Sequence, residues 1–324
     1  MMPPSRHRLP ARRHGAALLS AMLTVTLVAT LAATALWRQW RHVEIETAER
    51  TRQQTAWLLS GAQDWARLIL REDARSGSAD HLAEPWAVPL QESRLSSFLA
   101  SGQGDADQAE EAFLSGQIID LQSRLNVLNL VDENKVSDAS LQDFGRLFAL
   151  LGLPAEELAL MAENLRAASA PGEDPAASLL PQRTEQLTWL GLSANSLDRL
   201  APYITLLPER TPVNLNTAPP EVIYACVAGL EMAQAQRMVA ERSASHFRTL
   251  ADAGRLVPGG IRPLNPSRHS VSSRFFEIRG RLRYGPSAVE DSAMVQRDGE
   301  VVKVLWRKRD VQGSLETGRS AALQ

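Results

Sequence analysis

Residues that could perform catalysis or bind a metal ion are few and scattered in this 324-residue sequence. Cys226 is the only cysteine, which excludes an intramolecular disulfide and any multi-cysteine zinc or iron–sulfur site. His81, His246 and His269 have neither paired spacing nor a cysteine partner, so we expect solvent-exposed surface histidines rather than ligands. The sequence also lacks the G-x-S-x-G, H-E-x-x-H, Walker and G-x-G-x-x-G motifs, and we therefore predict that the protein is not an enzyme.

Two groups of acids offer oxygen ligands without the spacing of a calcium loop. Calcium takes about six to eight oxygens from several carboxylates. The Pro-rich stretch 169–184 has only Glu173 and Asp174. The other group alternates acids but lacks the glycine and the distal glutamate of an EF-hand; it consists of Asp105, Asp107, Glu110 and Glu111. We predict solvated loops at both places.

The overall charge argues against a general nucleic-acid surface. Lys+Arg total 35 against 37 Asp+Glu, a net charge of −2. Such a chain has no polybasic field to hold a phosphate backbone. A hydrophobic content of 44% excludes a fully disordered chain, and the length suffices for about two domains.

The amino terminus combines a basic leader with a long apolar segment. Four arginines and no acid precede residue 16, and the 22 residues from Ala16 to Trp37 include no charged side chain. As a helix this run spans about 33 Å, which matches the roughly 30 Å hydrocarbon core of a bilayer. The arginines predict a cytoplasmic amino terminus, with the rest of the chain beyond Arg38 on the opposite side of the membrane.

A small residue precedes the apolar run instead of following it, in Arg12-Arg13-His14-Gly15-Ala16. This leader resembles the class III signal of type IV pilins and pseudopilins. The resemblance implies that prepilin peptidase cuts after Gly15 and that Ala16 becomes the N-methylated mature terminus. These families usually have glutamate at the fifth mature position, where this chain has Ser20. A plain signal anchor is the alternative, and Gly15 discriminates between the two.

Periodicity beyond the apolar run predicts strands before and after a helical block. The first helix is expected to continue to about Arg71, and a strand is expected from Gln117. Residues 139–256 have helical spacing, with Thr217 as a candidate N-cap. Alternation of apolar and charged residues then predicts a strand from Phe276. Two further strands are expected on either side of a turn at Asp298-Gly299.

The leader, the Ile118 to Leu130 segment, the Asn-Leu-Asn-Thr-Ala run at 214–218 and the terminal strands together resemble the K pseudopilin of type II secretion systems. The pattern and the resemblance predict an α+β fold: a pilin-like long N-terminal helix packed on a small antiparallel sheet, with a large all-α domain inserted between strands. The boundaries that we predict are 1–15 for a cleaved leader, 16–37 for the transmembrane part, 38–130 for the pilin-like helix and first strands, 131–265 for the inserted helical (SAM/helix-hairpin-helix-like) domain, 266–310 for the C-terminal strands and 311–324 for a disordered tail.

The resemblance implies a minor pseudopilin at the tip of the pseudopilus, which supports pseudopilus assembly and the export of folded periplasmic proteins across the outer membrane. The implied partners are the minor pseudopilins I and J, the core subunits of the pseudopilus, prepilin peptidase, and the secretin or an exported substrate. No cofactor is predicted; calcium is an option by family resemblance alone, without identifiable ligands.

An alternative rests on 213–256, which also resembles the helix-hairpin-helix module of membrane-anchored DNA receptors. In that module a Gly-hydrophobic-Gly hairpin presents backbone N–H groups to a phosphate. Here the hairpin is Gly229-Leu230-Glu231, so an acid replaces the second glycine and repels phosphate. We therefore expect a structural helical unit and no nucleic-acid partner, with DNA binding as the alternative function.

Overall fold

A computed structural model describes residues 14–77, 79–94, 112–170, 179–258, 264–284 and 287–312. The chain divides into two compact units, Met1–Leu58 and Leu59–Gln324.

The described part of the first unit is helical. Helix α1 covers His14–Ser76, so it runs five residues beyond the predicted end at Arg71. From Ala17 onward this helix is long and apolar enough to span a membrane, judged by length and composition alone. Threonine hydroxyls in this stretch donate to carbonyls one turn earlier, as Thr24 does to the carbonyl of Ser20 at 2.6 Å. This pairing leaves the helix surface apolar, which suits a lipid environment.

The second unit contains a five-stranded antiparallel sheet with the order β1-β2-β9-β10-β11. Residues 59–76 of α1 pack on one face of this sheet, where Leu70, Phe276 and Ile278 form a buried core with Trp86. The side chain of Arg67 donates to the carbonyl of Val302 at 2.9 Å. The strands are β1 (Leu90–Arg94), β2 (Ala112–Asp120), β9 (Phe275–Tyr284), β10 (Ser287–Asp298) and β11 (Val301–Gln312).

The turn between β10 and β11 lies one residue later than predicted. Asp298 pairs with Val301, so the two turn residues are Gly299 and Glu300 rather than Asp298 and Gly299. Gly299 has φ +57°, a conformation that glycine adopts without steric cost. Strand β11 continues to Gln312, so the predicted disordered tail is wrong for 311–312, and the rest of that tail lies outside the described residues.

A helical block lies between β2 and β9 in the chain. Ser137 caps its first helix, α2, and Gly152 ends that helix in the left-handed conformation at φ +61°. The block holds α2 (Asp138–Leu151), α3 (Ala155–Ser169), α4 (Ala194–Leu200), α5 (Pro220–Cys226), α6 (Met232–Ala244) and α7 (Leu250–Gly254). Short 3-10 helices of the block cover Leu121–Ser123, Val127–Leu130 and Thr184–Leu190, and another, Pro85–Ala87, precedes β1. Two-residue strands complete the block: β3 (Leu125–Asn126), β4 (Val131–Asp132), β5 (Lys135–Val136), β6 (Ile204–Thr205), β7 (Val213–Asn214) and β8 (His269–Ser270).

Thr217 does not cap a helix, contrary to the prediction. Helix α5 starts with Pro219 at the N-cap and Pro220 at the first helical position, where a missing N–H costs nothing. The Thr217 hydroxyl instead donates to the carboxylate of Asp120, which lies outside the block. The predicted fold class is otherwise confirmed, because the structure has the long helix, the antiparallel sheet and the helical domain inserted between strands.

Candidate functional site: a buried polar junction

The helical block joins the sheet through buried polar side chains from distant parts of the second unit. We call this group the polar junction; it consists of Asp80, Asp120, Asn214, Thr217, Ser273 and Arg297. Asp120 ends β2, Ser273 precedes β9 and Arg297 lies near the end of β10. The junction therefore lies where the chain leaves the sheet and returns to it.

Asp120 is the centre of the junction. Its carboxylate accepts hydrogen bonds from the backbone N–H of Gln122, the amide of Asn214, and the hydroxyls of Thr217 and Ser273, at 2.5–3.0 Å. Burial raises the pKa of Asp120, and the four hydrogen bonds oppose that shift. One carboxylate thus ties β2 to the start of α5 and to the start of β9.

Arg297 supplies the positive charge beside this centre. Its guanidinium donates to Asp73 at 2.6 Å, to Asp80 at 2.5 Å and to the carbonyl of Ser273 at 2.9 Å. It also lies 4.8 Å from the ring centroid of Phe276. Burial raises the pKa of Asp80 to about 7, although Arg297 and the N–H of Ser273 lower it. Burial and the charge of Glu84 raise the pKa of Asp73.

The carboxylates of Asp73, Asp80 and Glu84 offer ligand atoms within 4.8 Å of one another, the spacing of a metal site. The donors around them do not fit an ion. Arg297 bonds Asp73 and Asp80, and one oxygen of Glu84 accepts from the N–H of His81 and the indole of Trp86, both at 2.8 Å. A cation would have to displace the guanidinium, so we assign the group to an ion-pair network.

Asparagines of the 118–130 segment and of the 214–218 run hold the loops of the helical block. Asn126 accepts from the N–H of Leu207 and donates to the carbonyl of Glu209. Asn216 makes a reciprocal pair with the backbone of Phe247, at 2.9 Å in each direction. These side chains replace backbone partners that irregular segments lack, which explains buried asparagines at such positions.

His81, His246 and His269 are not exposed, contrary to expectation. His81 and His246 stack with ring centroids 3.8 Å apart. His269 is buried, and its Nε2 lies 3.1 Å from the carbonyl of Cys226. The sequence pattern missed these roles because the contacts join residues far apart in the chain. Burial lowers the pKa of His246 and of His269.

The environment of Cys226 does not suit a nucleophile. Cys226 is buried, and burial raises the pKa of its thiol, so the thiolate is not formed at neutral pH.

The predicted processing residues lie at the start of α1. Gly15 and Ala16 are within the helix, and the hydroxyl of Ser20 donates to the carbonyl of Ala17 at 2.9 Å. Glu173, Asp174 and the acids at 105–111 lie outside the described residues.

The hairpin between α5 and α6 turns its polar backbone inward. Arg146 donates to the carbonyls of Val227 and Leu230, at 2.9 and 2.6 Å. The N–H of Leu230 donates to the carbonyl of Val227, and the N–H of Glu231 donates to the side chain of Gln234. Amides used in this way are not available to a phosphate, which weighs against the DNA-binding alternative.

Sequence reasoning found part of the junction. Asp120, Asn214 and Thr217 belong to segments that the family resemblance marked. Arg297 lies in one of the terminal strands but was not singled out, and Asp80 and Ser273 stand in no recognisable run.

Comparisons with known proteins agree over most of the chain. Two family models, both described as Type II secretion system (T2SS), protein K, match residues 123–209 and 213–271. The Type II secretion system protein K of Pseudomonas aeruginosa (strain PAO1) is 27% identical, covering 94% of each chain. The corresponding protein of Pectobacterium carotovorum subsp. carotovorum is 25% identical, covering 92% of this chain and 97% of its own.

A solved structure shares the fold. It is the crystal structure of the GspK-GspI-GspJ complex from the enterotoxigenic Escherichia coli type 2 secretion system. The similarity has a TM-score of 0.63 at 18% identity, and it covers 81% of this chain and 98% of the other. At this identity the likeness shows a common architecture.

Proposed function

This chain belongs to the type II secretion system protein K family, and from that premise we propose that it is a structural, non-catalytic subunit at the tip of the pseudopilus. In this role it supports pseudopilus assembly and the export of folded periplasmic proteins across the outer membrane. Its partners are the minor pseudopilins I and J, a proposal supported by the complex that the structurally similar protein forms. The function requires no cofactor.

The helical block is the observation that supports a tip position most strongly. It occupies residues 121–274 between adjacent strands β2 and β9, and the polar junction fixes it to the sheet. A domain of this size on every subunit would clash along a thin helical filament. A single copy at the end avoids that clash.

The start of α1 supports the same position. In filaments of this type a glutamate at the fifth mature position is expected to pair with the terminal ammonium of a neighbouring subunit. Ser20 offers no charge, and its hydroxyl is bonded within its own helix. A subunit without such a neighbour needs no buried carboxylate there, and an unpaired one would be costly in lipid.

We further propose that the chain is a single-pass protein of the inner membrane. Its amino terminus lies in the cytoplasm and the second unit in the periplasm, as the arginine distribution predicts. Prepilin peptidase then removes 1–15 and methylates Ala16.

One experiment tests processing and assembly together. The full chain is produced with prepilin peptidase and the minor pseudopilins I and J, and its terminal mass and copurifying subunits are measured from inner membranes. We expect a methylated terminus at Ala16 and copurification of both partners. Gly15→Val should leave the leader in place, because the peptidase requires a small residue there. Gly61→Val is the matched control, since an added side chain at Gly61 meets nothing within 4 Å. An intact Met1 in the wild-type protein, or a processed chain without I and J, would contradict the proposal.

A further inference from the structure

A cleft of about 570 Å³ lies between the sheet and the helical block. Its floor is the outer face of the sheet, opposite the face that packs on residues 59–76 of α1. Alternation along β9 places Glu277, Arg279 and Arg281 on this outer face, because Phe276 and Ile278 point into the core. Residues 182–185 and 204–206 of the block form the other wall. The volume is in the range of ligand-binding pockets.

Most charges in the cleft are neutralised by a neighbour. The pairs are Arg279–Glu277 at 2.8 Å, Arg281–Glu290 at 3.8 Å and Lys308–Asp310 at 2.8 Å. Arg183 and Glu185 add one charge of each sign at the rim. These groups leave the walls polar and close to neutral.

Arg124 is the exception. It lines the cleft, half-buried, and makes no hydrogen bond or ion pair with any residue that the structure describes. Glu277 and Asp120 attract it and Arg279 repels it, but Glu277 is bonded to Arg279 and Asp120 is already the acceptor of four hydrogen bonds. Burial lowers the pKa of Arg124. A half-buried guanidinium without a partner is costly, and it retains five N–H donors.

The position of Arg124 is fixed by its neighbours in the chain. It follows the 3-10 helix Leu121–Ser123, which Asp120 caps, and it precedes β3, where the N–H of Leu125 donates to the carbonyl of Tyr203 at 2.9 Å. The backbone therefore holds the cation at the cleft through bonds to both the sheet and the block. A backbone held in this way favours ligand binding, because no loop has to be ordered on association.

We propose that this cleft binds an acidic peptide segment of a partner protein, with Arg124 as the donor to one of its carboxylates. A guanidinium binds a carboxylate with two parallel hydrogen bonds, which supplies both strength and direction. The paired charges along the walls offer further donors and acceptors for a peptide backbone.

The test uses the full chain in detergent micelles and a fluorescein-labelled hexapeptide of alternating glycine and glutamate. Binding is followed by fluorescence anisotropy, with a glutamine version of the peptide and citrate as competitors. We expect the glutamate peptide to bind and the glutamine version not to compete. Arg124→Gln should weaken binding about tenfold or more, since a charge-assisted bond is lost. Arg283→Gln, the matched control, removes a partly exposed cation from the same face of β9 that does not line the cleft, and should weaken binding less than about threefold.

Thermal unfolding separates a ligand site from a structural cation. Removing an unpaired cation should leave the melting temperature of Arg124→Gln equal to that of the wild type or higher. A melting temperature several degrees lower would overturn the proposal. So would the absence of peptide binding, an equal loss in both variants, or binding of citrate without binding of the peptide, which would assign a small organic acid instead.

Discussion

The helical block and the sheet of the second unit are stabilised by different kinds of burial. The block encloses a large apolar core, in which Phe144, Phe148 and Leu165 are at most 1% exposed. The sheet has a smaller apolar core and buries charged side chains beside it, among them Asp80, at 1% exposure. The free energy gained from apolar burial does not depend on protonation, whereas the contribution of buried charged groups to stability does.

This difference assigns different roles to the two regions. The apolar core supplies the free energy that holds the block together. The buried ions of the sheet add little net stability, but they are costly to leave unpaired, so they penalise any other docking of the block. The sheet side should therefore control how the block is fixed and how that attachment responds to pH.

The largest effect is expected in the apolar core of the block. Phe148→Ala should lower the free energy of unfolding by about 3–5 kcal/mol, because it removes a large buried ring and leaves a cavity. Hydrogen exchange of the full chain, followed by mass spectrometry over α2 and α3, measures this change. The loss should be the same at pH 5 and pH 8. A loss below about 1 kcal/mol would contradict the apolar assignment.

A smaller and pH-dependent effect is expected in the sheet. Arg297→Gln removes the cation between Asp73 and Asp80. It should cost about 2–3 kcal/mol at pH 8, where two carboxylates remain buried without their cation, and less at pH 5, where they can bind protons. Exchange over β9 and β10 reports the loss.

Arg274→Gln is the control for that variant. Arg274 pairs with Glu209 and Asp298, but its side chain is 51% exposed, so its loss should cost less than about 1 kcal/mol at either pH. Equal losses for Arg297→Gln at pH 5 and pH 8 would show that the carboxylates do not titrate in this range.

The sequence predicted the two regions better than the contacts between them. Hydrophobic period is a local signal, so the helical spacing from residue 139 predicts α2, which begins at Asp138. The Thr217 cap was wrong because a tertiary bond to Asp120 competes with a local one, and the sequence does not reveal a carboxylate 97 residues away. Asp80 and Arg297 meet only after the sheet forms, so no spacing marks them.

The protonation of Asp80 gives the smallest predicted effect and the most direct test of the contrast. Its pKa of about 7 in the folded protein lies above the value of about 4 expected when unfolded. Between these values the folded state binds more protons, so the contribution of Asp80 to stability falls as pH rises from about 4 to 7. We expect a decline on the order of 1–2 kcal/mol, since relaxation reduces the full effect of burial.

The measurement compares unfolding of the full chain with that of Asp80→Asn across this pH range. Asparagine resembles the protonated acid. The free energy of unfolding of the wild type minus that of Asp80→Asn should therefore fall as pH rises. His246 and His269 have lowered pKa values and produce the opposite slope below pH 6.5, but they are present in both proteins and cancel in the difference. A difference that is flat, or that rises with pH, would mean that Arg297 keeps Asp80 ionised throughout. The charge pair would then hold the block at every pH in this range, and the pH response would have to come from other buried groups such as Asp143 and the two histidines.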